Sequence, residues 1–482
     1  MADAERAMVA ELDRLAPVLE PLGERFAAVG HTLHLVGGPV RDAMLGRHVG
    51  DLDLTTSARP DETERLLAGW ADTTWDIGRD FGTIGARTGD WQVEITTYRS
   101  DSYDPGSRKP AVDFGDTLVG DLGRRDFTVN AMAVSVPERR LEDPYGGVVD
   151  LAHGVLRTPG RPEDSFSDDP LRMMRAARFT AALGFEVAPE VVAAMTDMAA
   201  RIDIISAERV REELVKLVSG VHPRRGLTLL VETGLADRML PELPALALEA
   251  DEHHRHKDVY EHTLTVLEQA IDLEHRLEHP PDFVVRFAAL MHDIGKPRTR
   301  RFLDDGTVTF HHHDVVGAKM TRKRMQALRF SGAEIDAVAD LVELHLRFHG
   351  YGGGEWTDSA VRRYVRDAGD QLERLHILTR ADCTTRNRRK AQRLRRSYDD
   401  LEARIATLSE EEELASIRPD LDGNQIMAAL GIAPGREVGE AYRYLLELRM
   451  DEGPLGGDEA TRRLREWWAS GAHRRAPGRR SG

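Results

Sequence analysis

Apolar positions recur at helical spacing over residues 1–30, which predicts one amphipathic N-terminal helix. From about 31 to 150 the period shortens. The runs "TLHLVGG", "DLDLTT", "TIGAR", "WQVEITTY" and "VNAMAVSV" read as strands punctuated by Gly, Asp and Pro. Helical stretches such as "RPDETERLLAGWA" lie between them. From about 160 onward the pattern is helical, with breaks near Gly184, Pro223 and Pro241–Pro244. "SYDDLEARIATLSEEEELASIRPDL" reads as a surface helix and linker, and the chain has no internal repeat. The expected architecture is an α+β N-terminal head, a small mixed sheet with helices, followed by all-α regions.

The chain's 482 residues suffice for roughly three domains. With 41% hydrophobic and 31% charged residues, the composition is that of a soluble globular protein. No apolar run approaches the ~20 residues of a membrane span, and the acidic, amphipathic start is unlike a secretory signal. Cys383 is the single cysteine, which excludes internal disulfides and cysteine-based zinc sites and makes a cytoplasmic protein the expectation. A net charge of −16 argues against nucleic-acid binding through bulk charge. Locally, "TTRNRRKAQRLRR" (384–396) and "HRRAPGRR" (473–480) are basic. The first is either a solvated helix face or an RNA-backbone contact, and the second reads as a disordered tail.

The stretch "LVGGPVRDAMLGRHVGDLDLTT" (35–56) carries the first candidate chemistry. Alternation in a strand aims Asp51 and Asp53 to one face while Leu52 and Leu54 enter the core. Two converging carboxylates repel unless a cation lies between them, and hard oxygen ligands suit Mg²⁺ with substrate phosphates. Gly37 and Gly38 permit close backbone approach to a phosphate, and Arg41 reaches the same anion with its planar fork. Glu94 in "WQVEITTYR" is either a third carboxylate of that centre or an exposed strand residue. Such a centre holds a triphosphate for attack by a hydroxyl.

"GGPVRD…DLDLTT", "DLGRRDFTVNAMA" (121–133), "DPYGGVVDL" (143–151), "DDPLRMMRAARF" (168–179) and "ERVREEL" (208–214) follow in order. Over about 245 residues this series resembles the class II tRNA nucleotidyltransferase family, which includes CCA-adding enzymes and bacterial poly(A) polymerases. The resemblance implies addition of CMP, CMP and AMP to tRNA 3′ ends without a nucleic-acid template, with tRNA, CTP and ATP as partners and neither DNA nor a membrane. Asp169, Arg172, Arg175 and Arg178 recur every three residues as a stripe on a helix. The family's base-reading pair maps onto Asp169 and Arg172. An aspartate accepts from the amino group of cytosine or adenine while an arginine donates to the ring nitrogen; uracil and guanine reverse that polarity. The same match carries Gly38, Arg41, Arg125, Arg175 and Arg178 over as nucleotide contacts and Asp51 and Asp53 as metal ligands. Asp168 stands where the family often has Glu, which keeps the charge. Asp126 and Asn130 either orient the site or cap local structure. The Gly/Pro-rich "RSDSYDPGSRKPAVDFGD" (99–116) reads as a mobile loop, which the family associates with the switch from C to A addition.

A second constellation spans 258–387: "DVYEHTLTVLEQA", "FAALMHDIGKP", "HHHDVVGAKM", "LVELHLRFH" and "ILTRADCTTR". Imidazoles and carboxylates are typical ligands of divalent transition metals. The apolar helix "FVVRFAALMHDIGK" sets His292 and Asp293 at the end of a buried face. The order His262, His292-Asp293, Asp382 resembles the HD phosphohydrolase superfamily over roughly 250–390, with His313 and His345 matching versions that hold two metals. The tract at 311–313 leaves the ligand there open by one or two residues. The resemblance implies a divalent transition metal such as Ni²⁺ or Mn²⁺ and either phosphoester hydrolysis or support of tRNA binding.

The expected organisation is an N-terminal helix (1–30), nucleotidyltransferase head (31–157), all-α helical neck (158–248), all-α HD domain (249–390) and helical C-terminal region (391–482). The leading reading is a Mg²⁺-dependent CCA-adding enzyme with an appended HD domain. The alternatives are a poly(A) polymerase, a CC-only enzyme, and an HD phosphohydrolase with a regulatory nucleotide-binding head.

Overall fold

The computed structural model describes residues 2–102, 111–115, 117–248, 259–304, 308–350, 356–383, 388–412 and 418–471. The tail at 473–480, and 103–110 and 116 of the expected loop, lie outside the described residues. The chain divides into two compact units, Met1–Pro244 with Ala327–Arg329, and Ala245–Gln326 with Phe330–Gly482.

The first unit opens with a helix, Ala2–Ala27, that buries Leu15, Leu22 and Phe26. The strands are β1 Leu33–Val36, β2 Leu52–Thr56, β3 Thr73–Trp75, β4 Thr83–Thr88 and β5 Trp91–Thr97. They continue with β6 Arg99–Ser102, β7 Ala111–Phe114, β8 Ala133–Val136 and β9 Leu141–Glu142. Seven form one mixed sheet in the order β3-β4-β5-β2-β1-β8-β9, while β6 and β7 pair separately. β1 runs antiparallel to β2 and β8, and β2 runs parallel to β5. As alternation requires, Leu52 and Leu54 are buried and Asp53 is exposed. Each leucine contributes about 2 kcal/mol by leaving water. That burial fixes the register, because a one-residue slip would put Asp53 in the core.

The expected strands all form; β3, β6, β7 and β9 are additional. β3 and β9 are edge strands of two or three residues, too short to show a period. Beyond the head the first unit is helical except for a two-residue parallel pairing of Val155–Leu156 with Glu186–Val187. Helix Leu171–Leu183 packs on Ala207–Val218 and Pro223–Glu232. Gly184, at φ 73°, ends that helix in the left-handed conformation.

In the second unit, helix Val259–Leu273 packs on Phe283–Met291 and Leu372–Ala381, and Phe283–Met291 packs on Gly332–Leu344. A two-stranded hairpin, Arg301–Phe302 with Val308–Thr309, interrupts the helices. The helices Asp358–Ala368 and Arg388–Glu412 follow, then Gly423–Leu430, Arg436–Glu452 and Gly457–Ala469 around their own small core.

Candidate active site and metal centre

In the first unit a cleft of about 560 Å³ opens at the sheet. Its walls include Gly37, Gly38, Arg41, Asp53, Glu94 and Arg125 from the head, and Asp169, Arg172, Arg175 and Arg178 from the helical region. Asp53 and Glu94 are direct neighbours across the parallel pair β2–β5, so the two carboxylates share a face of the sheet. The crowding of the cleft walls raises the Asp53 pKa, Arg125 pulls it down, and Glu94 and Asp51 push it up again. Asp51 occupies the bend before β2, is exposed, and is not part of the cleft wall. Asp51, Asp53 and Glu94 do not gather as one group with all ligand atoms within 4.8 Å.

Gly37 has φ 74°, and a Cβ there would lie 2.8 Å from Nη1 of Arg125. Only glycine combines that backbone with that approach. Arg41 is buried and well held: Nε and Nη2 donate to the two Asp42 oxygens at 2.9 Å, and Nη1 donates to Asn130 Oδ1 at 2.7 Å. Asn130 Nδ2 in turn donates to Asp126 Oδ1 at 2.9 Å, and Asp126 Oδ2 accepts from Arg175 Nε at 2.7 Å. Asp126 and Asn130 therefore orient the arginines as well as their own loop. Burial would raise the Asp126 pKa, but the Arg175 charge and the hydrogen bonds of Asn130 and Arg175 prevail and hold it at about 2.

Sequence reasoning missed three residues here. Glu213, buried on helix Ala207–Val218, pairs with Arg178 Nε at 2.8 Å and lies 3.9 Å from Arg175. Phe179 forms the surface on which arginines rest, with Arg178, Arg41 and Arg175 Cζ at 4.1, 5.2 and 5.6 Å from its ring centroid. Arg209 donates to Asp169. A charged residue on the apolar face of a helix was the available signal for Glu213. The expected pair, Asp169 and Arg172, is brought to the cleft with each partner held separately. Asp169 Oδ1 accepts from the Leu171 N–H at 3.1 Å. Arg172 donates to Ser165 Oγ at 2.9 Å and to the Arg124 carbonyl.

The second unit gathers all six expected ligands. His262 Nε2 lies 3.0 Å from Asp382 Oδ1 and 3.6 Å from Asp293 Oδ2. His292 Nε2 lies 3.2 Å from Asp293 Oδ2, and His313 Nε2 3.4 Å from Asp293 Oδ1. His345 stacks edge-on to His292 at 5.4 Å. Two groups result, His262–His292–Asp293 and Asp293–His313–His345. The tract at 311–313 resolves to His313, which is buried, whereas His311 and His312 are exposed. Nδ1 of His292, His313 and His345 each meets a carbonyl one turn back, at 2.7, 2.8 and 2.6 Å. A carbonyl only accepts, so Nδ1 carries the proton and Nε2 is turned toward the cluster as a ligand. Buried Nε2 of His292 and of His345 makes no hydrogen bond. Burial lowers the His292 pKa, yet the charge of Asp293 outweighs it and lifts the value to about 9, so this pocket favours a cation. Burial brings His345 down to about 4. Lys296, not anticipated, reaches Asp293 Oδ2 at 2.9 Å. Nitrogen and oxygen donors of this kind suit a divalent transition metal.

The sheet, the arginine-lined cleft and the histidine–aspartate cluster define a nucleotidyltransferase head joined to an HD-type unit. Residues 33–157 match the poly(A) polymerase head domain, 184–246 the probable RNA- and SrmB-binding site of polymerase A, and 259–387 the HD domain. The A-adding tRNA nucleotidyltransferase of Deinococcus radiodurans is 35% identical over 443 residues, 90% of this chain and 95% of the relative. The CCA-adding enzyme of Geobacillus sp. is 44% identical over 207 residues, 43% of this chain and 50% of that enzyme. In fold, the chain is similar to the Bacillus stearothermophilus CCA-adding enzyme solved with CTP, at a TM-score of 0.67 and 24% identity, covering 95% and 99% of the two chains. The chain belongs to the tRNA nucleotidyltransferase family. No helix among the described residues is long and apolar enough to cross a membrane.

Proposed function

We propose that this chain adds CMP, CMP and AMP from CTP and ATP to the 3′ end of tRNA. The observation that carries the reading is one cleft that joins the Asp53–Glu94 strand pair to Asp169 and Arg172 and is lined by eight arginines against four carboxylates. Asp42, Asp121 and Glu213 pair with these arginines from behind the wall, so guanidinium groups face the cleft, as a triphosphate requires. Asp53 and Glu94 would hold Mg²⁺, with Asp51, one residue before the strand, as a further carboxylate, and the ion would supply Lewis acidity for in-line displacement of pyrophosphate by the tRNA 3′ hydroxyl. Arg41, Arg125, Arg175 and Arg178 bind and orient the triphosphate beside the Gly37-Gly38 turn. Asp169 accepts from the exocyclic amine of cytosine or adenine while Arg172 donates to the ring. RNA affinity comes from phosphate contacts and weakens steeply with salt. In the HD domain (about 249–390), His262, His292, Asp293, His313, His345 and Asp382 would hold a divalent transition metal such as Ni²⁺ or Mn²⁺, for either phosphoester hydrolysis or support of tRNA binding. The single cysteine fits a cytoplasmic compartment.

Addition of A alone is the second reading, favoured by the Deinococcus relative whose match spans nearly the whole chain. Extension of tRNA ending at the discriminator base and of tRNA ending in CC, with CTP, ATP or both, separates the readings. Three additions to the first primer establish CCA synthesis, whereas extension of the CC primer alone establishes A addition. Long A tails mean a poly(A) polymerase, and stopping after two C means a CC-only enzyme. No product on either primer overturns the proposal and turns attention to the HD unit.

A further inference from the structure

We infer that Arg209 is a specificity-determining residue, acting through Asp169; this rests on the reading of Asp169 as the base acceptor. Each Asp169 oxygen has its own donor. Oδ1 takes the Leu171 N–H at 3.1 Å, and Oδ2 takes Arg209 Nη2 at 2.7 Å. Two donors from different elements, the start of helix Leu171–Leu183 and the first turn of helix Ala207–Val218, fix the plane of the carboxylate against rotation. Ser206 anchors the Arg209 end by capping its helix at the Arg209 N–H.

The pair is half exposed at Arg209, so its contribution to stability is small. Its position gives it another consequence, because both residues line the cleft. A carboxylate offers only acceptors, and the amines of cytosine and adenine answer it; the carbonyls of uracil and guanine do not. The Arg209 Nη2 donor held by Oδ2 keeps that acceptor still, with the carboxylate plane set for the amine. Arg209 therefore protects the discrimination by immobilising the correct partner.

The test is the ratio of kcat/KM for CTP over UTP on tRNA ending at the discriminator base, and for ATP over GTP on tRNA ending in CC. It compares wild type, Arg209→Ala, Arg209→Lys and Asp169→Ala, with thermal melts confirming that each variant is folded. We expect Arg209→Ala to lower the ratio about tenfold, the weight of one charge-assisted hydrogen bond. Arg209→Lys, which keeps one charged donor, restores part of it. A ratio unchanged in Arg209→Ala, whatever the loss of overall rate, overturns the inference and leaves Arg209 a tRNA or structural contact. A ratio unchanged in Asp169→Ala removes the underlying reading instead. A variant that does not fold is replaced by Arg209→Gln, judged by the same ratio.

Discussion

Asp126 and Arg175 meet at 2.5 Å in the wall of the cleft, and Asn130 ties their ion pair to Arg41. One buried carboxylate thus sets the direction of two arginines that come from different helices, Gly38–Met44 and Leu171–Leu183. Glu213 does the same for Arg178. The cleft can concentrate positive charge because these counterions sit behind it.

The first prediction concerns acid stability. The Asp126 pKa is depressed from 3.8 to about 2, so the folded state binds its proton less readily than the unfolded chain does. The contribution is complete above about pH 4 and is lost as the pH falls through about 2, and two units amount to about 2–3 kcal/mol. Asp126→Asn should lower urea-unfolding stability by that order at pH 7, with the gap from wild type closing between pH 4 and 2. A gap that stays constant over that range contradicts the assignment.

The second concerns chemistry at the strand pair. Asp53→Asn should reduce kcat for nucleotidyl transfer by at least ~10³-fold, as loss of a principal electrostatic group does. Glu94→Gln should cost less, since it leaves Asp53 and Asp51, whose charges still act on one another. Equal kcat in wild type and Asp53→Asn would remove Asp53 from the mechanism.

The third concerns Gly37. Alanine there needs a backbone at φ 74° and places Cβ 2.8 Å from Arg125 Nη1, so the strain of about 1–2 kcal/mol comes with a displaced guanidinium. Gly37→Ala should raise the KM for nucleotide more than it lowers the melting temperature would suggest. Gly30, also at positive φ but with open space around it, is the control for backbone strain alone. Matching KM values in the two variants would show that the approach to Arg125 is irrelevant.

Much of this was legible in the chain because strand alternation and helical spacing are local. The period-2 run "DLDLTT" does place Leu52 and Leu54 inside, and the apolar helix Phe283–Met291 does end at His292 and Asp293. Counterions are another matter. Glu213 is 35 residues or more from the arginines it neutralises, and Arg209 is 40 residues from Asp169, so only tertiary approach reveals them. Asp51 shows the limit of alternation itself: the strand begins one residue later, and Asp51 stays outside the cleft wall. The histidine tract could not be resolved by residue type, since burial alone separates His313 from His311 and His312.

The last prediction concerns metal loading. Asp293 belongs to both ligand groups, with His262 and His292 on one side and His313 and His345 on the other. If the two groups hold one ion each, the protein loaded with Ni²⁺ or Mn²⁺ and desalted should retain about two equivalents. His345→Ala, which removes a ligand from one group, should retain about one, and Asp293→Asn, which weakens both, close to none. His311→Ala and His312→Ala should match wild type because those side chains face solvent. Metal bound only to the folded state adds RT ln(1 + [L]/Kd), so wild type should gain about 2.7 kcal/mol at a hundredfold excess over Kd, and chelation should reverse it. Elemental analysis gives the stoichiometry and calorimetry the shift. Full loading of Asp293→Asn would show that the ions bind elsewhere, and one equivalent in wild type that persists in His345→Ala would show that only the His262 group is a metal site.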